Sequence, residues 1–178
     1  MNRLFIDTET TGLITNSLLP LDQQPRVIEV YAVLLCDDFA TIIEEVESYI
    51  DPGIKIPEIV VKITGIKPEQ LVGAPKFSEI ASDLSALIAQ ADEVVAHNLS
   101  YDAAIIEFEF QRLGQEVVWP KRRTCTVEAT EWIKGYRLNL SALHEHCFGQ
   151  PFTGAHRARG DVEAMIRCYQ HGLMEGWL

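Results

Sequence analysis

Apolar positions along this chain follow two rhythms, and the rhythm changes once. Arg3–Asp7 is a short apolar run that ends in a carboxylate. Val27–Cys36 is longer, β-branched and nearly continuous, as in a strand buried on both faces. Thr41–Ile50 alternates, with Glu44, Glu45 and Glu47 among apolar neighbours, and predicts a half-exposed strand. Asp37 and Asp38 supply the turn before it. The opening third therefore predicts a three-strand meander.

From Ile56 onward the apolar spacing becomes helical. Ile56–Thr64 and Lys67–Val72 predict short helices, each opened by a proline (Pro57, Pro68). In Phe77–Ala91, Ile80, Leu84, Leu87 and Ile88 share one helical face, with Ser78 as candidate cap. Glu93–His97 predicts a strand, and Tyr101–Leu113 a helix ended by Gly114. Arg123–Thr126 predicts a fifth strand, followed by helices near Val127–Lys134, Ser141–Phe148 and Asp161–Gly172. The polar, proline-bearing stretch Leu13–Pro25 is a long loop, which suits a functional segment. This order predicts an α/β fold: a mixed five-stranded sheet flanked by helices, in a single domain over residues 1–178. Sites in such sheets gather at strand ends near the middle.

Composition narrows the function. The 178 residues are 47% hydrophobic and 23% charged, the profile of a soluble globular protein. The formal charge of −11 argues against gripping duplex DNA or an anionic membrane by bulk attraction. The charge is uneven: residues 1–111 carry 6 basic and 19 acidic groups, and residues 112–167 carry 9 and 6. A locally basic region on an acidic body suits guidance of a single strand. The longest apolar run, Val30–Cys36, is too short to span a bilayer, and Asp7 interrupts any signal-peptide core. Cys36, Cys125, Cys147 and Cys168 are scattered without a CxxC pair, so a reduced, cytoplasmic location is expected.

Candidate chemistry lies in carboxylates. Residues i and i+2 of an extended chain point to one side, so Asp7 and Glu9 present two acids together. Thr10-Thr11-Gly12 follows, with the glycine allowing a sharp exit. Asp102 begins a helix just after the Glu93–His97 strand, and Asp161 begins the last long helix; each alone reads equally as an acid favoured at a helix N-terminus. His156 precedes Asp161 by five positions, with Gly160 as a bend between them, and suits proton transfer near neutral pH as much as a plain loop position. Arg157 and Arg159 beside it, and the cluster Lys121-Arg122-Arg123, read equally as phosphate contacts or as solvated surface. His144-Glu145-His146-Cys147 lacks a helical metal spacing, because i and i+2 do not face each other. Trp119, Trp132 and Trp177 read as packing groups.

In combination these segments are more specific. Asp7-Thr8-Glu9-Thr10-Thr11-Gly12, His97-Asn98-Leu99-Ser100-Tyr101-Asp102, and His156 with Asp161 resemble, in order, the three motifs of the DnaQ-like, DEDDh-type 3′–5′ exonucleases. Ile63-Thr64-Gly65-Ile66 resembles the loop between the first two. The similarity is greatest to the epsilon-type proofreading domains of DNA polymerase III. The resemblance implies a ribonuclease H-like fold. It implies that Asp7, Glu9, Asp102 and Asp161 hold two divalent metal ions and that His156 is the general base. It also implies that Thr8, Thr10, Gly12, Thr64 and His97 line the substrate. Four carboxylates without Cys or His favour Mg²⁺ or Mn²⁺, and a metal pair suits in-line phosphodiester cleavage.

The expected activity is release of nucleoside 5′-monophosphates from single-stranded 3′ ends, with DNA preferred over RNA. The alternatives are an exoribonuclease, an accessory subunit that docks on a DNA polymerase, and an endonuclease on the same fold. No membrane association is expected. Three departures stand out. Tyr101 occupies a position where the family often has phenylalanine, the Leu13–Pro25 loop is long, and Glu58 is one residue out of step with a glutamate that some members use to hold the terminal hydroxyl.

Overall fold

The computed structural model describes all 178 residues, apart from the side chain of Trp132, whose expected packing lies outside the described residues. Five strands, β1 (Arg3–Thr10), β2 (Val27–Leu35), β3 (Ile42–Tyr49), β4 (Glu93–Ala96) and β5 (Arg122–Cys125), form one mixed sheet. Its order is β3-β2-β1-β4-β5; the β1–β2 and β2–β3 pairs are antiparallel, β1–β4 and β4–β5 parallel. The helices are α1 (Glu58–Thr64), α2 (Phe77–Gln90), α3 (Leu99–Arg112), α4 (Thr126–Lys134), α5 (Leu140–Phe148) and α6 (Ala158–Glu175). The expected α/β architecture, a mixed five-stranded sheet flanked by helices, is the observed one. Among the described residues no helix is long and apolar enough to cross a membrane.

β1 runs past its apolar stretch because Thr8, Glu9 and Thr10 continue the ladder against β2. Its alternation divides the molecule. Leu4 and Ile6 join the core under α2 and α3, with Leu84, Leu87, Ile105 and Ile106. Phe5 joins the opposite core under α5 and α6, with Leu143, Val162, Met165 and Tyr169. Continued along the strand, the same period sends Thr8 and Thr10 toward α3, and Asp7 and Glu9 toward α6. β2 is buried at all nine positions, as its continuous apolar run predicts.

Several local expectations change. Ser78 does not cap α2; the Glu79 carboxylate accepts the Lys76 N–H at 2.7 Å, so the cap is made from inside the first turn. Lys67–Val72 yields only a 3₁₀ turn at Pro68–Leu71. The last helix starts at Ala158, so Asp161 lies in its first turn rather than at its beginning. Gly160 is likewise inside the helix rather than at a bend. A Cβ there would stand 2.4 Å from the Gly154 carbonyl oxygen, so the residue permits a close approach of the preceding loop. Gly12 does not occupy the left-handed region, and a Cβ at that position would meet nothing within 4 Å.

Candidate active site

Three of the four expected acids converge. Ligand atoms of Asp7, Glu9 and Asp161 lie within 4.8 Å of one another, the single such group of metal-ligating side chains among the described residues. Asp7 and Glu9 share the α6 side of β1 by strand alternation, and the first turn of α6 brings Asp161 against them. Asp161 is held from behind: its Oδ2 accepts the backbone N–H of Arg157 at 3.1 Å.

Asp102 approaches from the other side of the strand. It lies in the first turn of α3 and is 3% exposed. Its Oδ1 accepts the Thr8 backbone N–H at 3.0 Å and the Thr8 hydroxyl at 2.7 Å. Asp102 therefore borders the three-acid cluster while one of its oxygens is committed to β1.

Crowding and burial shift these groups together. Burial pushes the Glu9 carboxyl up to about 8, aided by Asp161, Glu29 and Asp102 and opposed by the Arg157 guanidinium. Burial raises Asp102 to about 7 against the pull of the two Thr8 hydrogen bonds. Asp161 rises to about 6, again by burial, with its backbone bond to Arg157 and the nearby His156 opposing. Asp7 is raised well above the usual carboxylate range by burial and then by Asp102, Asp161, Glu9 and Glu29. Acids whose ionisation is opposed first by burial and then by one another are suited to a multivalent cation, which offsets the repulsion and supplies the missing positive charge. The donors are all hard oxygens, and they fit Mg²⁺ or Mn²⁺.

His156 is exposed on the loop leading into α6 and carries φ +64°, a left-handed conformation uncommon for a non-glycine residue. Arg157 and Arg159 are partly exposed and engaged in ion pairs within the protein. Arg157 pairs with Glu29 at 2.7 Å, and Arg159 pairs with Glu47 and lies 4.2 Å above the Tyr31 ring.

The residues expected to line the substrate mostly have internal partners. Thr8 serves Asp102. The Tyr101 hydroxyl donates to the Gly12 carbonyl at 2.7 Å, and the Thr10 hydroxyl, 2.6 Å from the Tyr101 oxygen and 2.8 Å from the same carbonyl, places its one proton toward that pair. The hydroxyl that distinguishes Tyr101 from phenylalanine thus ties α3 to the chain leaving β1. The Thr64 hydroxyl donates to the Val60 carbonyl and accepts the Ile66 N–H, closing the end of α1. His97 uses both ring nitrogens, Nδ1 with the Thr126 hydroxyl at 2.8 Å and Nε2 with the Leu138 carbonyl at 3.1 Å. A carbonyl only accepts, so Nε2 carries the proton. Burial lowers the ring to about 4 and keeps it neutral. Gly12 remains open to solvent on its α-carbon side. Glu58 is the exposed first residue of α1.

Elsewhere, Arg122 pairs with Glu93 level with Arg3, at the sheet end away from Glu9, which removes the Lys121–Arg123 cluster from the acidic site. His144 is packed between Phe148 and Phe152 and accepts from Arg167, in keeping with its reading as a non-ligand. Trp119 is buried and donates to Glu107, and Trp177 packs over Gly172. Glu29 was not singled out by sequence reasoning. Its signal was available: it is the one charged residue in an otherwise uninterrupted apolar strand.

Comparison with known proteins places these observations in a lineage. The RNase T family model, described as exonuclease, matches residues 4–169. The DNA polymerase III subunit epsilon of Treponema pallidum is 33% identical over 168 residues, covering 92% of this chain and 72% of that protein. The 3′–5′ exonuclease DinG of Staphylococcus epidermidis is 31% identical over 173 residues, covering 93% of this chain but 18% of that protein. Among solved structures, the nuclease domain of 3′hExo, a DEDDh family member bound to rAMP, superposes with a TM-score of 0.79 at 17% identity, covering 98% of this chain and 92% of that one. E. coli exonuclease I in complex with a dA16 oligonucleotide gives 0.77 at 19% identity, covering 97% of this chain and 41% of that one. At these identities the structural likenesses establish the fold.

Proposed function

We propose, on the premise that this chain belongs to the exonuclease family and is a 3′–5′ exonuclease of its DEDDh type, that it removes nucleoside 5′-monophosphates from the 3′ end of single-stranded DNA. The observation that carries this reading is the convergence of Asp7, Glu9 and Asp161 within 4.8 Å, with His156 five positions ahead of Asp161. Asp7, Glu9, Asp102 and Asp161 are the residues that hold the cation pair, Mg²⁺ or Mn²⁺. When bound, the ions supply the positive charge that offsets negative charge growing on the attacking and leaving oxygens.

The protein's own groups do the rest. His156 accepts the proton of the attacking water, a contribution of about 10²–10⁴-fold. The water oxygen bonds to phosphorus as the bond to the penultimate 3′-oxygen breaks, and that oxygen takes a proton from solvent. Gly12, with no side chain and open space before it, gives the terminal nucleotide a close approach. Thr8, Thr10, Thr64 and His97 act behind it by fixing the walls of the site. The preference for single strands follows from the acidic surface, which disfavours duplex. The names of the sequence relatives, DNA polymerase III among them, favour DNA. Docking on a polymerase is the second reading, supported by the same epsilon relative. Four free cysteines suit a reducing compartment, and we place the protein in the cytoplasm.

The test is hydrolysis of matched end-labelled DNA and RNA oligonucleotides with Mg²⁺ or Mn²⁺. Mononucleotide products, an untouched closed circle and inactivity of Asp7→Ala are expected. Full activity of Asp7→Ala would reject the ligand assignment. Negligible activity alone, restored on co-elution with a polymerase, would favour the accessory role.

A further inference from the structure

One row of cross-strand partners lies beneath the start of α6. Glu9 on β1, Glu29 on β2 and Tyr49 on β3 are paired in register and share the face that α6 covers. Glu29 is 5% exposed and stands outside the three-acid cluster. Its carboxylate is fully engaged by the segment that follows His156. Oε1 accepts from Arg157 Nη2 at 2.7 Å, both oxygens accept from Arg157 Nε at 3.2 Å, and Oε2 accepts the backbone N–H of Ala158 at 3.0 Å. Arg157 Nη2 also donates to the Tyr49 hydroxyl, and the guanidinium lies 5.4 Å from the centre of that ring.

Arg157 is thus tied at two points. Its side chain is bound to Glu29, and its backbone N–H is bound to Asp161. It is also the residue directly after His156, whose positive φ needs external support. On the other side of His156, the Gly154 carbonyl lies against Gly160 with no room for a side chain. The exposed histidine is suspended between these two anchors.

We propose that Glu29 and Arg157 are positioning residues that seat the His156 loop against the carboxylate site. The inference rests on the reading of His156 as the general base. Neither residue touches substrate in this proposal. The pair instead sets where the imidazole stands, and a displacement of about 1 Å is enough to cost on the order of 10²-fold in rate. The expected signature is a loss in kcat with KM and cation affinity preserved. A phosphate contact by Arg157 would raise KM instead.

The experiment uses the full chain, a 5′-labelled oligothymidylate and saturating Mn²⁺. Arg157→Ala and Glu29→Gln should each lower kcat about tenfold or more, with KM and Mn²⁺ uptake within twofold of the parent. Glu29→Gln/Arg157→Met removes both charges at similar volume, so it tests the same point if a single variant fails to fold. Charge exchange, Glu29→Arg/Arg157→Glu, should recover part of the lost kcat. The deciding measurement is a double-mutant cycle: in a His156→Ala background, Arg157→Ala should cost little further. Unchanged kcat in the folded charge-free pair, a rise in KM as the main effect, or an undiminished Arg157→Ala loss in the slow His156→Ala enzyme each overturns the latch alone. A His156→Ala enzyme with parental kcat would instead remove the base assignment, and the latch with it.

Discussion

Asp102 holds its Oδ1 against Thr8, accepting that residue's backbone N–H at 3.0 Å and its hydroxyl at 2.7 Å. Thr8 points to the α3 side of β1, while Asp7 and Glu9 point to the α6 side. The bond therefore joins the second motif to the first across the strand and sets the direction in which the remaining oxygen of Asp102 faces. Thr8→Val keeps the shape and the backbone bond but loses the hydroxyl. Measured above about pH 8, where Asp102 is ionised, it should cost about 1.5–3 kcal/mol of stability, the range for hydrogen bonds to charged acceptors, and it should lower kcat. Thr8→Ser should retain both, as urea denaturation and steady-state assays will read.

Function and stability oppose each other in the acid cluster. Asp7→Asn replaces a buried carboxyl, which must take up a proton or be held charged among repelling acids, by a neutral group of nearly the same volume. Without divalent cations the variant should melt at a higher temperature than the parent, yet it should have no measurable exonuclease activity. A lower melting temperature in EDTA would contradict the repulsion argument.

The same shifts give a pH dependence of defined sign. Glu9, Asp102 and Asp161 titrate at about 8, 7 and 6 in the folded protein, against roughly 4 for unperturbed carboxylates. The folded state therefore binds more protons than the unfolded state between these values. The stability these groups contribute is fully present below about pH 4, and it is lost as pH rises through 6 to 8. Denaturation in EDTA should show stability falling from pH 5.5 to 8.5. Saturating Mn²⁺ should flatten or reverse the trend, because the cation binds the deprotonated acids.

His156 sits at φ +64°. His156→Gly relieves that conformation and His156→Ala does not, so the glycine variant should be the more stable by about 1 kcal/mol. Both should lose about 10²–10⁴-fold in kcat. Comparison of the two separates backbone strain from proton transfer.

Gly160→Ala drives a methyl group to 2.4 Å from the Gly154 oxygen. Backbone atoms cannot swing aside as a side chain would, so the loop must lift. A cost of about 1–3 kcal/mol is expected, with a fall in kcat because the loop carries His156. Wild-type stability together with wild-type kcat would show that the loop has another way to settle.

Much of this fold was legible in the chain itself. Alternation placed Asp7 and Glu9 on one side of β1, a continuous apolar run marked β2 as buried, and helical spacing located α2 and α3. The same alternation also put Thr8 and Thr10 on the opposite side, where they meet Asp102 and Tyr101 rather than standing beside the acids. What was not legible depends on distant partners. His97 is bound by Thr126 and Leu138, which lie 29 and 41 positions away. Arg157 reaches across 128 positions to Glu29. The Lys121–Arg123 cluster stands away from the acids because β5 runs parallel to β4 and begins at the far end of the sheet.

The order of strands and helices, and the presence of the four candidate acids, were set by residue type and by the two backbone periods, which act over a few neighbours and so are written locally. Which of those acids stand together, which of them is turned aside by a hydroxyl, and how the histidine loop is braced were decided only when sheet pairing and helix packing brought remote segments within hydrogen-bond reach. Those contacts are short-ranged in space but carry no trace in sequence separation.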